Sequence, residues 1–370
     1  MKSLKLIVCL AAITAFAACT KPEKQTEIGF ATDTLTVSAQ LNTEFTYSVE
    51  VNVSNPVGET TFTHDVLPAW ITLTSKGTKA TFTGTPTELE NFNVTLTATN
   101  NGESATQEIL IVVTTAPVPR TLLIEEFTSE TCSYCPNGAE AIHAAIVGNE
   151  NNVVIVCHHV GYNEDRYTIA KSRPLTAFYG GGIYAPACMI DRRTIPEVDD
   201  DVASPVFFPG YLPKPIITKS VISKQLAVPS YVTVNLNTTY NDVTGELNVD
   251  VSGVLGSYYP NAKVNVYIIQ EGIIGPQSGG GQNYLHKHVL RAALSANFGD
   301  VLDVTTGNYQ KTYTFIIPAT ISGVQNIAIP TDPANMYVVA FIADYINNIK
   351  DNVLNKSQVH NAVMKKIIEP

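Results

Sequence analysis

The chain has 370 residues and a formal net charge of −10, with only 15% charged residues. This length exceeds what one hydrophobic core usually organises, so several modest domains are expected. The acidic balance and the lack of a basic stretch argue against nucleic acid as a partner.

An export signal is predicted over residues 1–19. A short charged start precedes the apolar run Leu6–Ala18, which is too short to span a bilayer. Small residues directly before Cys19 resemble the lipobox of bacterial lipoproteins, in which this cysteine is acylated and becomes the mature N-terminus. The alternative is an ordinary secretory peptide with Cys19 incidental. The polar tether 20–27 favours the lipobox, so we expect an extracytoplasmic protein with a lipid anchor at Cys19.

Residues 28–115 form the first predicted module. Short runs of alternating apolar and polar residues, such as Phe45–Val53 and Val94–Ala98, are separated by turn clusters. Strands of this length and spacing predict a small β-sandwich. The segment around Trp70 resembles the Ig-like domain of bacterial surface proteins, and this resemblance implies a spacer or binding module without catalytic residues.

A C-x-x-C motif joins a predicted strand to a predicted helix. The apolar run Leu122–Phe127 is typical of a buried strand, and a helix is predicted over about 136–147. Cys132 and Cys135 lie between them, an arrangement typical of a thioredoxin-like redox site. A helix N-terminus favours negative charge, so it would lower the pKa of Cys132 and favour the reactive thiolate.

Two further features resemble the thioredoxin fold over residues 118–228. Glu126 stands where thioredoxins carry a buried acid below the second cysteine, and Pro186 stands where they carry a cis-proline facing the disulfide. The resemblance implies that Cys132 is the exposed nucleophile and that Cys135 resolves the mixed disulfide. It also implies that Glu126 moves the proton of Cys135 and that Pro186 binds substrate backbone. In an exported protein the same cysteine pair can instead be a permanent bridge.

Two other cysteines, Cys157 and Cys188, lie on apolar predicted strands, and we expect them to be free buried thiols. His158 and His159 are consecutive on a strand, so at most one of them faces the redox cleft. His143 lies in the helix after the motif and is expected at its surface.

Residues 196–215 form a predicted long loop inside this segment. Five prolines exclude regular structure there, and long loops in compact domains often serve function. The loop could line a cleft beside the C-x-x-C motif. We favour the alternative, in which Phe207 and Phe208 attach it to the core.

Residues 229–370 return to alternating strands and predict a C-terminal antiparallel β-sandwich. Within them, His286 and His288 are two residues apart and would lie on one face of a strand. With Glu271 they could form a metal site of nitrogen and oxygen ligands. Because no third ligand is demonstrated, we favour the alternatives that these histidines hydrogen-bond the neighbouring glycine loop or flank the interface with the thioredoxin-like domain. We therefore predict no metal and no other cofactor.

Several segments together resemble the Omp-twenty-eight-related outer-membrane protein family. They are Glu125–Thr128, Cys132–Gly138, Tyr267–Gln277 and Tyr284–Arg291. The resemblance covers residues 118–370. It implies a lipoprotein of the Gram-negative outer membrane that joins a thioredoxin-like part to a C-terminal β-sandwich, and it leaves the activity open.

The predicted fold class is multidomain and mostly β with one α/β part. Its parts are an Ig-like β-sandwich, a thioredoxin-like domain and a C-terminal antiparallel β-sandwich. Two functions stay open: a thiol–disulfide oxidoreductase acting on disulfide-containing extracytoplasmic proteins, and a non-catalytic surface binding or adhesion lipoprotein whose C-x-x-C is structural. The expected partners are the outer membrane, through the lipid anchor, and other surface proteins. The membrane face, periplasmic or external, is left open.

Overall fold

The computed structural model describes residues 24–178, 183–196, 198, 205–304, 307–345 and 357–369. The predicted signal peptide and Cys19 lie outside these residues, as does part of the loop 196–215. The described chain divides into two compact units. One holds most described residues before 111, and the other holds all described residues from Ile111 onwards together with Val37–Phe45 and Thr85–Phe92.

The N-terminal part of the chain consists of short strands. They are β1 (Glu27–Gly29), β2 (Thr34–Gln40), β3 (Phe45–Glu50), β4 (Asn52–Ser54), β5 (Thr61–His64), β6 (Ile71–Lys76), β7 (Lys79–Gly84), β8 (Asn91–Asn100) and β9 (Glu103–Thr114). Their sheets have the orders β2-β9-β8-β5, β3-β7-β6 and β1-β4. Along β8 the residues Val94, Leu96 and Ala98 are fully buried while their neighbours are not, as alternation predicts. The β character predicted for residues 28–115 is confirmed.

In the rest of the described chain, strands alternate with three α-helices and three short 3-10 helices. The elements up to the last α-helix are β10 (Leu122–Phe127), α1 (Cys135–Ile146), a 3-10 turn (Glu150–Asn152), β11 (Val153–His158), a 3-10 turn (Ala170–Ser172), α2 (Arg173–Phe178), β12 (Ala187–Ile190), β13 (Gly210–Tyr211), β14 (Lys214–Pro215) and α3 (Lys219–Leu226). Helix α1 starts and ends within a residue of its predicted bounds.

Strands dominate the C-terminal half. They are β15 (Asn235–Asn241), β16 (Glu246–Val254), β17 (Ala262–Gln270), β18 (Ile273–Gln277), β19 (Gly281–His286), β20 (Val289–Ala293), β21 (Asp300–Val301), β22 (Asn308–Ile316), β23 (Thr320–Ser322), β24 (Ala328–Pro330), β25 (Met336–Asp344) and β26 (Val359–Lys366), with a 3-10 turn at Pro333–Asn335 before β25.

One sheet runs through both of the parts predicted for residues 118–228 and 229–370. Its order is β12-β10-β11-β20-β17-β25-β26, with β21 paired to β17. Strands β10 and β11 are parallel, and β12 is antiparallel to β10. The two predicted parts join where β11 and β20 pair in parallel through Cys157 and Val289. The two parts therefore share a sheet, which the alternation pattern alone does not predict.

Both faces of this sheet are buried. On one face, helices α1 and α3 cover the apolar residues of β10 and β11. The sheet β15-β16-β22 covers the alternate residues of β17 and β25. On the opposite face, Leu123 and Val156 pack with Tyr267 and Phe341 in a continuous apolar cluster. These layers hold the end of β10 and the start of α1 in fixed positions.

Candidate functional site

A disulfide lies between the end of β10 and the first residue of helix α1. Cys132 and Cys135 are bonded, with 5.5 Å between their Cα atoms. The backbone N–H of Cys132 donates to the Ser129 carbonyl at 3.0 Å, which makes the tight turn before the helix. Cys135 is the first helical residue, and a proline lies in the first turn, where its missing N–H costs no hydrogen bond.

The loop between β18 and β19 covers the turn that carries Cys132. The side-chain amide of Gln277 donates to the carbonyl of Cys132 at 2.9 Å and to that of Ser129 at 3.0 Å. The backbone N–H of Ser278 donates to the Glu130 carbonyl at 2.7 Å. Cys132 is only 4% exposed as a result, and Gln277 is buried with it.

Glycine is required at the tip of this hairpin. Gly279 has a φ of +77°, and a Cβ atom placed on it would lie 2.1 Å from the backbone oxygen of Ser133. The hydroxyl groups of Ser133 and Ser278 are 2.7 Å apart beside this contact. The backbone of the hairpin tip thus packs directly against the backbone of Ser133, at a distance that only glycine allows.

A cavity of about 590 Å³ opens beside the disulfide, and residues of the same hairpin form one of its walls. Its lining includes Cys135, Glu126, Cys157, His159 and Tyr284, while Cys132 is not part of it. The two sulfur atoms therefore have different surroundings: one lies under the hairpin, and the other borders a cavity.

Glu126 is the buried acid of this cavity. The Cys157 thiol donates to Glu126 Oε2 at 2.9 Å, and Cys157 and Cys188 lie opposite Glu126 on the two neighbouring strands. Burial raises the pKa of Glu126, an effect that its contact with Cys157 only partly offsets. Burial and the adjacent Glu126 raise the pKa of the Cys157 thiol well above its ordinary value. Glu126 can thus hold a proton near the disulfide, and Cys157 stays a thiol.

A histidine–aspartate pair also borders the cavity. His159 Nδ1 lies 2.7 Å from Asp165 Oδ2. Asp165 is fixed in turn by the backbone N–H groups of Glu130 and Tyr167, at 2.7 and 2.8 Å. Burial raises the pKa of Asp165, but His159 and these hydrogen bonds outweigh it and leave this pKa below the ordinary value. A carboxylate at Nδ1 selects the tautomer in which Nε2 accepts a proton.

The remaining histidines of the cavity separate into two groups. His288 Nδ1 lies 2.5 Å from Glu271 Oε1, and its ring is 5.3 Å from that of His143. His286 instead contacts the Pro276 carbonyl at 3.3 Å. Burial, and after it the charge of a neighbouring histidine, lowers the pKa of both His143 and His286 to about 4. Both rings are therefore neutral at physiological pH.

Two family models match the chain. Residues 185–366 match "Outer membrane protein Omp28", and residues 28–114 match "Putative Ig domain". The C-terminal part of the chain is thus similar to the Omp28 family. The Omp28 match associates the protein with the outer membrane, as the sequence resemblance implied, and the second match confirms the Ig-like N-terminal module. None of the helices in the described part of the chain has the length and apolar character needed to cross a membrane.

No curated protein gave a significant match. Among solved structures, HBP35 of Porphyromonas gingivalis is 21% identical, covers 67% of this chain and 76% of its own, and gives a TM-score of 0.49. A structural-genomics protein of Agrobacterium tumefaciens is 13% identical over 69% of this chain and 98% of its own, with a TM-score of 0.40. Both scores lie below 0.5, so neither likeness establishes a shared fold.

The four predicted redox residues lie around the start of α1. Glu126 and Cys135 border one cavity, and Cys132 is bonded to Cys135. The Ala185–Pro186 bond is cis, as the resemblance implied. A Cβ atom on Gly138 would lie 2.7 Å from Pro186, which therefore packs against the first turn of α1. The prediction that Cys132 is exposed is wrong, because the alternation pattern gives no sign that the distant hairpin folds over it.

The predicted metal site takes a different form. His288 has a φ of +55°, which ends the strand alternation, so it does not share a strand face with His286. In the described part of the chain, no group of three or more histidine, cysteine or acidic residues is placed to hold a metal ion. His286 instead contacts the carbonyl of Pro276, which belongs to strand β18, and His288 contacts Glu271.

Three features of the site were not predicted. The first is Gln277, whose role depends on contacts with residues 129–132. The second is the pairing of His159 with Asp165. The preceding residue, His158, contacts Glu125 and Ser172 away from the cavity, so of these two histidines only His159 faces the cavity. The third is that His143, expected at the surface, borders the cavity. A spacing of six residues between His159 and Asp165 was the only sequence signal.

The free thiols and the attachment of the long loop to the core follow the predictions, but the loop also contains regular structure, because Gly210–Tyr211 and Lys214–Pro215 pair as strands β13 and β14. Phe207 is buried and exchanges backbone hydrogen bonds with Cys188 at 2.9 and 3.0 Å, which attaches the loop to the core. Phe208 instead makes an edge-to-face contact with Tyr211, whose ring lies 5.7 Å from that of Tyr134 in the C-x-x-C motif. This end of the loop therefore reaches the disulfide as well. Cys157 and Cys188 are free and buried.

Proposed function

We propose that this protein is a lipid-anchored thiol–disulfide exchange protein of the outer membrane, built on a thioredoxin-like module. The observation that carries the proposal is the position of the disulfide: Cys135 opens helix α1 and borders the same cavity as the buried acid Glu126. A helix start favours a thiolate, and a buried acid can give and take the proton that exchange moves.

The surrounding elements support a thioredoxin-like module. Strands β10 and β11 are parallel, β12 is antiparallel to β10, and helix α1 packs on this sheet, which favours the module that the sequence resemblance implies. In this proposal Cys132 attacks a protein disulfide and Cys135 resolves the mixed disulfide. Pro186, packed on α1 beside the motif, lines the approach of the substrate backbone.

The reduction potential of the Cys132–Cys135 pair tests the proposal. It is measured on protein starting at Thr20, equilibrated with a glutathione buffer. A value between about −270 and −120 mV, the range of known exchangers, is the expected result. A value below about −300 mV marks a structural bridge and refutes the proposal.

A second candidate function is a non-catalytic binding protein with a permanent disulfide. It is favoured by the hairpin, which holds Cys132 at 4% exposure and fixes its turn with three hydrogen bonds from Gln277 and Ser278. The Ig-like module is also of a type that presents surfaces for binding. A Cys135→Ser variant separates the two functions, because only an exchange protein accumulates mixed disulfides with partner proteins through Cys132.

A further inference from the structure

We infer that the cavity beside Cys135 binds a low-molecular-weight thiol, which reduces the disulfide by attacking Cys135 while His159 accepts its proton. The inference rests on the proposed exchange function and names the reductant for it. No other electron donor is implied by the described residues of the chain.

The first step is access. An attacking thiolate must reach a sulfur atom, and Cys132 is buried at 4% exposure, does not border the cavity, and lies in a turn that Gln277 and Gly279 of the hairpin contact. Cys135 is itself only 2% exposed, but it borders a cavity of about 590 Å³. Cavities of roughly 300–1,000 Å³ hold small ligands. A small molecule in this cavity therefore meets Cys135, whereas a folded protein does not fit there.

The second step is the proton. A free thiol has a pKa near 8.5, so only about 3% of it is thiolate at pH 7. His159 lies in the cavity wall, and Asp165, at 2.7 Å from Nδ1, leaves Nε2 as the acceptor. His159 can therefore take the proton from an incoming thiol, and Asp165 acts through it as a positioning residue.

The third step is the charge of the rim. Lys287 and Glu140 are exposed residues that line the same cavity, and they offer one positive and one negative group. A thiol that carries both a carboxylate and an ammonium group, as an amino acid does, complements this pair. The chemical class of the reductant is thus an amino-acid-derived thiol.

The reaction then balances. The thiol R–SH gives its proton to His159, and its sulfur attacks the sulfur of Cys135; the Cys132–Cys135 bond breaks, and Cys132 leaves as a thiolate. A second R–SH loses its proton and attacks the R–S sulfur of the mixed disulfide, which releases Cys135 as a thiol or thiolate. Two R–SH are oxidised to R–S–S–R, and the protein disulfide is reduced to two thiols.

The first test compares the two sulfur atoms directly. Protein from Thr20 onwards, as Cys132→Ser or Cys135→Ser, is mixed with cystine, and the mixed disulfide is located by peptide mass spectrometry. We expect Cys135, in Cys132→Ser, to form its adduct at least tenfold faster than Cys132 does in Cys135→Ser. Equal rates, or a faster Cys132, overturn the inference. Neither variant contains the bridge, so this result is independent of the reduction potential that tests the proposed function.

The second test addresses His159 through the pH profile. Reduction of the wild-type disulfide by cysteine is followed from pH 6 to 9 and compared with His159→Gln. We expect about a tenfold loss at pH 7, within the roughly 30-fold limit set by 3% thiolate, and no loss at pH 9, where the thiol ionises without a base. A loss that is the same at every pH shows that His159 acts on the fold alone and overturns its role.

The third test blocks the cavity. Ala139 borders it, while Ala144 lies on the same helix, is half-buried and does not border it. Ala139→Leu should slow reduction by cysteine at least tenfold, and Ala144→Leu should leave the rate within about twofold of wild type. If both variants are reduced at the wild-type rate, the reductant does not enter by the cavity.

Discussion

Gln277 is expected to control how fast Cys132 reacts. Its amide makes two hydrogen bonds to the turn that carries Cys132, at 2.9 and 3.0 Å, in a buried setting. Each contributes about 0.5–1.5 kcal/mol, so Gln277→Ala should lower the free energy of hairpin opening by about 1–3 kcal/mol. The opened population then rises about 5- to 150-fold. Because buried groups react through such local openings, the reactivity of Cys132 should rise by the same factor.

The assay is the alkylation rate of Cys132 by iodoacetamide in a Cys135→Ser background, with each modified cysteine located by peptide mass spectrometry. Gln282→Ala is the matched control, since Gln282 is the same residue type on the same hairpin but is exposed. The reasoning is refuted if Gln277→Ala alkylates at the parent rate. It is equally refuted if Gln282→Ala accelerates the reaction as much.

Three further outcomes are expected. Gly279→Ala should also accelerate alkylation of Cys132, whereas Gly281→Ala, at a similar φ but with open space around it, should not; equal rates contradict the close contact. Arg192→Met should cost about 3–5 kcal/mol in urea unfolding at pH 7, because it leaves Glu125 buried without the two bonds of 2.7 and 2.8 Å. Burial raises the pKa of Glu125, but Arg192 and a neighbouring histidine outweigh it and lower this pKa to about 2. The stabilisation by the Glu125–Arg192 pair is therefore complete above pH 4.5 and is lost toward pH 2. If the stability difference between Arg192→Met and wild type does not become smaller in acid, this prediction is wrong. Burial raises the pKa of Glu126, so the folded protein loses stability as pH rises from 4.5 through that raised value. Glu126→Gln should therefore be more stable than wild type at pH 8 but not at pH 4. Urea unfolding at the two pH values measures this difference.

Local sequence patterns predicted the motif and its immediate elements well. The apolar run before the cysteines and the proline after them gave β10 and α1, because both signals act within a few residues. Glu126 and Pro186 were found through resemblance to a known fold; Glu126 borders the cavity beside Cys135, and Pro186 packs against the first turn of α1.

The sequence predicted less of what surrounds the disulfide. Gln277 reaches Ser129 across 148 positions of chain, and no periodicity encodes a contact of that kind. His288 breaks its strand with a positive φ, which Asn or Gly would have signalled but histidine does not. The pairing of β11 with β20 likewise joins two runs that each read as a complete strand by themselves.

That pairing has a consequence for modularity. If the chain were cut at residue 228, β11 would become a bare sheet edge, and such edges promote aggregation. The same cut would remove Gln277, Tyr284 and His288, and with them one wall of the cavity. The C-x-x-C segment is therefore not an independent folding unit. A domain rearrangement that separates it from the C-terminal strands would expose the edge of β11 and remove one wall of the cavity beside Cys135.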